Sequence, residues 1–167
     1  MPVIDSIDTQ QQSLHYHAHQ QCSKQWRSFL QVFIVELFTS AGPRDACAFL
    51  RHIGTRMASD LALSERDAVE DLEAAINAVW RDMDWGWVRL TPQDRSLRII
   101  HGAYPLPMRE GADAEYGVQA MSALLEGIYA TWLADQGGEP HVPLHAVPVA
   151  PGQALEFVYG QEHHGAR

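Results

Sequence analysis

The sequence predicts an α+β protein, with about four α-helices packed against a small antiparallel sheet made of a β-hairpin and a C-terminal strand. Three observations carry that prediction. Apolar residues recur at helical spacing in four separate stretches. Between the third and fourth stretches lie two short β-favouring runs, Trp85–Leu90 and Ser96–His101, separated by the turn residues Thr91-Pro92-Gln93-Asp94. A last run, Ala154 to Tyr159, follows a proline-rich segment and reads as a strand.

The elements follow in order. Residues 1–23 are rich in Gln, Ser and His and lack periodicity, so they read as a flexible tail. The first helix is expected over Lys24–Thr39, with Trp26, Phe29, Leu30, Phe33, Ile34 and Leu37 on one inward stripe. Val32 and Val35 lie off that stripe. A helix apolar on two sides needs two partners, and the second is expected to be another copy of the chain, with Val32, Val35 and Phe38 as interface candidates. Pro43 suits the first turn of a second helix reaching about Ser59, and Gly54 within it points to close helix packing. Ser64 and Asp67 resemble a capping box for a third helix, which carries Val69, Leu72, Ile76, Val79, Trp80 and Met83 inward. The acidic cluster Glu65, Asp67, Glu70, Asp71 and Glu73 reads as a solvated helix start favoured by the helix dipole. The fourth helix is expected from Gly117 to Ala134, ended by Gly137-Gly138. Residues 139–152 hold Pro140, Pro143, Pro148 and Pro151, and no helix is expected there. The domain is therefore placed at 24–160, with a short C-terminal tail at 161–167.

Composition narrows the function. The chain has 167 residues, 46% hydrophobic and 20% charged, enough for one domain with its own core. A net charge of −9 argues against nucleic acid, because no basic stripe is present to neutralise phosphates. Cys22 and Cys47 make no disulfide framework and read as two free thiols, with a bridge between them left open. The N-terminus shows no basic and apolar leader pattern, and Phe29–Phe38 is too short to span a bilayer. The expectation is a cytoplasmic protein that does not cross the membrane.

No enzyme is expected, and no cofactor. The chain carries no Gly-x-Ser-x-Gly elbow and no phosphate loop. His15, His17 and His19 would share one face of an extended strand, yet they lie in the segment read as a flexible tail and predict no catalytic metal; His163-His164 has the same status. Glu36 and Glu126 border apolar stripes and read better as salt-bridge partners than as a glycosidase pair. Trp80, Trp85, Trp87 and Trp132, four of the five tryptophans, sit where a core needs them. Trp26 differs, since it opens helix one directly after the tail and can either anchor the tail or face a ligand.

The segments Asp84-Trp-Gly-Trp-Val-Arg-Leu90, Leu97-Arg-Ile-Ile-His101 and Leu124-Leu-Glu-Gly-Ile-Tyr-Ala-Thr-Trp-Leu133 resemble the D protein of the bacterial cellulose synthesis operon, one of the components of cellulose synthase. Phe29-Leu-Gln31, Leu50–Ala58 and Asp71–Asn77 extend the resemblance upstream, so that it spans about Lys24 to Tyr159. The resemblance implies a cylindrical homo-octamer, a ring of dimers, whose N-terminal segments line passages for nascent β-1,4-glucan chains. It implies an accessory component that guides export and crystallisation, associated with the inner-membrane synthase, while another component transfers glucose. A periplasmic placement and a scaffold acting mainly through protein contacts are the alternatives. By position alone, Gln21, Ser23, Lys24, Gln25 and Trp26 fall where the glucan-facing segment would lie. The long tail before them departs from the family pattern.

Overall fold

The computed structural model describes residues 22–107, 111–139 and 141–160. Among these residues, four helices and four strands follow in the order α1 (Lys24–Ala41), α2 (Pro43–Asp60), α3 (Val69–Met83), β1 (Trp87–Pro92), β2 (Ser96–Gly102), α4 (Ala114–Asp135), β3 (Leu144–Val147) and β4 (Leu155–Gly160). The strands form one antiparallel sheet in the order β1-β2-β4-β3. The expected α+β class is thus the observed one. The strand β3 is an addition to the expected elements: prolines flank it on both sides, and its four residues are too short to show alternation.

The main core lies between the sheet, α3 and α4. Leu72, Ile76 and Trp80 of α3 meet Leu125, Ile128, Tyr129 and Trp132 of α4, with Ile99, Leu155 and Phe157 from the sheet. A second, smaller core holds α1 against α2 and α4 through Ile34, Phe38, Ala46, Leu50, Ala120 and Ala123. Small residues let α2 and α4 approach closely. A Cβ at Gly54 would overlap the Leu124 carbonyl, and one at Gly127 would overlap the Arg51 carbonyl. Close packing is therefore the reason Gly54 is tolerated in mid-helix.

Helix α3 also closes the edge of the sheet. The Asn77 amide donates to the Val88 carbonyl at 2.9 Å and accepts from the Val88 N–H at 2.8 Å. Glu73 accepts from the Leu90 N–H at 2.7 Å. Two side chains thus satisfy outward backbone groups of an edge strand.

Several expectations are corrected. Helix α3 starts at Val69 with Ala68 at its N-cap and no side-chain cap bond, so Ser64 and Asp67 form no capping box. Helix α4 begins at Ala114, one turn early, since Ala114 is buried and extends the inward face. On α1 the expected inward stripe divides. Ile34 is buried, whereas Trp26, Phe29 and Phe33 are exposed, because only the C-terminal half of the helix reaches the second core. Phe38, expected at an interface between copies, is 2% exposed and stacks on Tyr116 at 5.0 Å within the chain's own core. Trp87, expected in the core, is 44% exposed. Cys22, expected in the tail, is buried; both cysteines are free thiols.

Candidate functional site

The first three turns of α1 form a surface of large apolar side chains. Trp26 is 60% exposed and Val32 63%, with Phe29 and Phe33 beside them. Spacings of three and four residues put these side chains on one face. Trp26 meets Phe29 edge-on with ring centroids 5.9 Å apart, and Phe29 stacks on Phe33 at the same separation. This face is tied down from below. Arg27 donates to the Cys22 carbonyl at 2.8 Å, and Gln31 donates to the Pro107 carbonyl at 2.7 Å. Behind it lies a mostly apolar cavity of about 320 Å3, bounded by Cys22, Leu30, Ile34, Leu50, Trp85 and Pro105.

Ser23, Lys24 and Gln25 are exposed at the start of this helix, directly before Trp26. The Ser23 carbonyl accepts the Trp26 and Arg27 N–H groups, while its hydroxyl makes no cap bond. Four of the five positions expected to contact glucan thus lie together at one exposed helix end; Gln21 lies outside the described residues. Val32 shares the aromatic face, and Val35 turns toward the second core and is half-buried.

The buried polar groups serve the fold. His101 is fully buried between two partners, the Tyr129 hydroxyl at 2.6 Å from Nδ1 and the Trp85 carbonyl at 2.7 Å from Nε2. A neutral ring that donates from Nε2 and accepts at Nδ1 satisfies both, and the Tyr129 oxygen then accepts from Trp80 Nε1 at 3.1 Å. Burial pushes the His101 pKa down to about 4, against a smaller opposing effect of the Trp85 carbonyl, and it pushes Tyr129 well up. These rings are committed to each other and sealed from solvent. Glu126 pairs with Arg51 at 2.9 Å across the α2–α4 contact, the salt-bridge reading expected for it, while Glu36 is exposed on α1. Among the described residues, no three His, Cys, Asp or Glu side chains converge as a metal-binding set, and no helix is long and apolar enough to cross a membrane. The histidines of the two tails lie outside the described residues.

The outward face of α1 is the feature that spacing alone cannot orient. Phe38, by contrast, can be assigned inward from its i, i+4 relation to Ile34.

The α+β chain thus combines buried polar groups committed to its core with an aromatic helix face open to solvent. Residues 12–160 match the family model for the D subunit of cellulose synthase, and the chain belongs to that family. The match begins upstream of α1, within the segment read as a tail. Curated relatives include a cellulose synthase operon protein D of Komagataeibacter xylinus, 29% identical over 112 residues, which cover 66% of this chain and 70% of the relative. A second from that organism is 30% identical, and one from Komagataeibacter sucrofermentans 28%, with the same coverage. Family membership gives the chain a role in the cellulose synthase system.

Proposed function

We propose that this chain is a non-catalytic accessory component of the bacterial cellulose synthase complex that guides nascent β-1,4-glucan chains toward export and ordered assembly. The observation that carries the reading is the exposed start of α1, where Ser23, Lys24 and Gln25 run directly into Trp26 and the aromatic row behind it. A β-1,4-glucan has flat C–H faces and hydroxyl-bearing edges. Aromatic rings suit the faces, and amide, hydroxyl and ammonium groups suit the edges without requiring a charged ligand. Gln21, just upstream, is part of the proposed contact.

The working assembly is a homo-octamer arranged as a ring of dimers, acting at the inner-membrane synthase from the cytoplasmic side. Val32, 63% exposed, supplies apolar surface for contact between copies, and such a surface favours association over solvent exposure. Light scattering of the full chain, combined with titration of cellohexaose, tests both parts. A mass near eight protomers and saturable binding are expected. A monomer at micromolar concentration removes the assembly, and absent binding removes the guiding role.

The apolar character of Phe29, Val32 and Phe33 favours a second reading, a scaffold that organises the synthase complex chiefly through protein contacts. Micromolar capture of a purified synthase component with no measurable cellohexaose binding selects it.

A further inference from the structure

We propose a second glucan contact at Trp87, remote in sequence from the α1 segment, where the indole serves as a stacking platform for a β-linked pyranose. The inference rests on the glucan-guiding reading above and adds a site to it. Alternation along β1 sends Val88 and Leu90 into the core and Trp87 and Arg89 to the opposite face. The cross-strand partner of Trp87 is Gly102. A Cβ on Gly102 would overlap the Trp87 ring, so the indole lies over the neighbouring backbone and is supported there. It nevertheless remains 44% exposed. An indole held in this way offers a pre-set apolar surface with little freedom left to lose on binding.

The surroundings are polar. Trp87 borders an open groove of about 800 Å3 with Glu73, Asn77, Arg81, Asp84 and Arg89 along its walls. Glu73 and Asn77 are bound to the β1 backbone and fix the floor. Arg81, Asp84 and Arg89 are exposed, and among the described residues none of the three belongs to an ion pair. Guanidinium donors and a carboxylate acceptor beside a flat ring match a pyranose, whose C–H face stacks while its edge hydroxyls both donate and accept. The mixture of charge signs favours a neutral polyol over an anionic ligand.

The test is calorimetric titration of cellohexaose into the full chain and into Trp87→Ala, Trp87→Phe and Trp26→Ala, with the solution mass of each. The expected result is about a tenfold loss of affinity in Trp87→Ala, largely restored in Trp87→Phe, at unchanged mass. Wild-type affinity in Trp87→Ala, with binding lost in Trp26→Ala, overturns the platform and leaves the α1 reading standing. A Trp87→Ala variant of reduced mass and unchanged affinity assigns the face to a second copy and also overturns it. No binding by the wild type overturns the α1 reading and this inference together.

Discussion

Gly54 and Gly127 stand in reciprocal contact, each admitting a backbone carbonyl of the other's helix: that of Leu124 against Gly54 and that of Arg51 against Gly127. This crossing joins α2 to α4 and carries the Arg51–Glu126 pair on its rim. The second core, and with it α1, is built on the same two helices. The aromatic surface of α1 therefore depends on two residues that have no side chain. Gly54→Ala or Gly127→Ala forces backbone apart and should lower the unfolding free energy by about 3 kcal/mol, read from the urea midpoint at unchanged slope.

Tyr129 receives the Trp80 indole N–H and donates to His101 in the centre of the main core. Tyr129→Phe keeps the ring and removes the oxygen, leaving two buried polar groups without a partner. The expected loss is about 2–3 kcal/mol, with secondary structure intact by circular dichroism.

His101 gives stability a pH dependence of known sign. Its pKa is about 4 in the folded protein, against an ordinary value of 6.5. Above pH 6.5 the ring is neutral in both states and contributes no slope. Between 6.5 and 4 the unfolded chain binds more protons, so stability falls as pH falls, by about 3 kcal/mol across that window. Glu156, whose pKa the Arg98 hydrogen bonds hold down, adds loss in the same direction at lower pH. His101→Gln should be less stable at pH 7 and show a flatter profile between 6.5 and 4, measured as urea midpoint against pH.

Much of this fold is legible in the sequence because its periodic faces are unambiguous. Leu72, Ile76 and Trp80 recur on one side of α3, while charged residues and the small Ala74 and Ala78 occupy the outward side, so the stripe and its burial agree. The hairpin is legible from its turn residues, but the turn itself is shorter than Thr91-Pro92-Gln93-Asp94: Thr91 and Pro92 pair with Arg98 and Leu97 as the end of β1, and Gln93 donates to the Ser96 carbonyl to close the turn. Helix α1 is not, since apolar residues surround it and spacing cannot say which side a neighbour will cover. The sequence reading puts Phe38 at an interface between copies and Phe29 inward, each the reverse of its observed position, although the i, i+4 relation of Phe38 to Ile34 marks it as inward. Trp87 reads as core by composition, although Arg89, two residues on, marks the same face as outward. At the candidate site, the cluster Ser23–Trp26 follows from chain order; the aromatic ladder beyond it depends on how the second core packs.

Asn77 makes a further prediction about solubility. Its amide holds both polar groups of Val88 on the edge strand β1. Asn77→Ala leaves that edge unpaired at Val88. A loss of about 2 kcal/mol is expected, together with faster aggregation on mild heating, followed by light scattering. Asn77→Asp, which keeps the acceptor for the Val88 N–H and loses the donor, should fall between the two.

The guiding role stands or falls most directly in a cellulose-producing bacterium that lacks its own operon protein D and carries this chain instead. The comparison is between the unaltered chain and one with Gln21, Ser23, Lys24, Gln25 and Trp26 all changed to Ala, at matched expression and matched solution mass. The guiding role predicts ordered fibres from the unaltered chain, and reduced cellulose yield with disordered fibres, seen by X-ray diffraction of the pellicle, from the altered one. Equal yield and equal fibre order would contradict it.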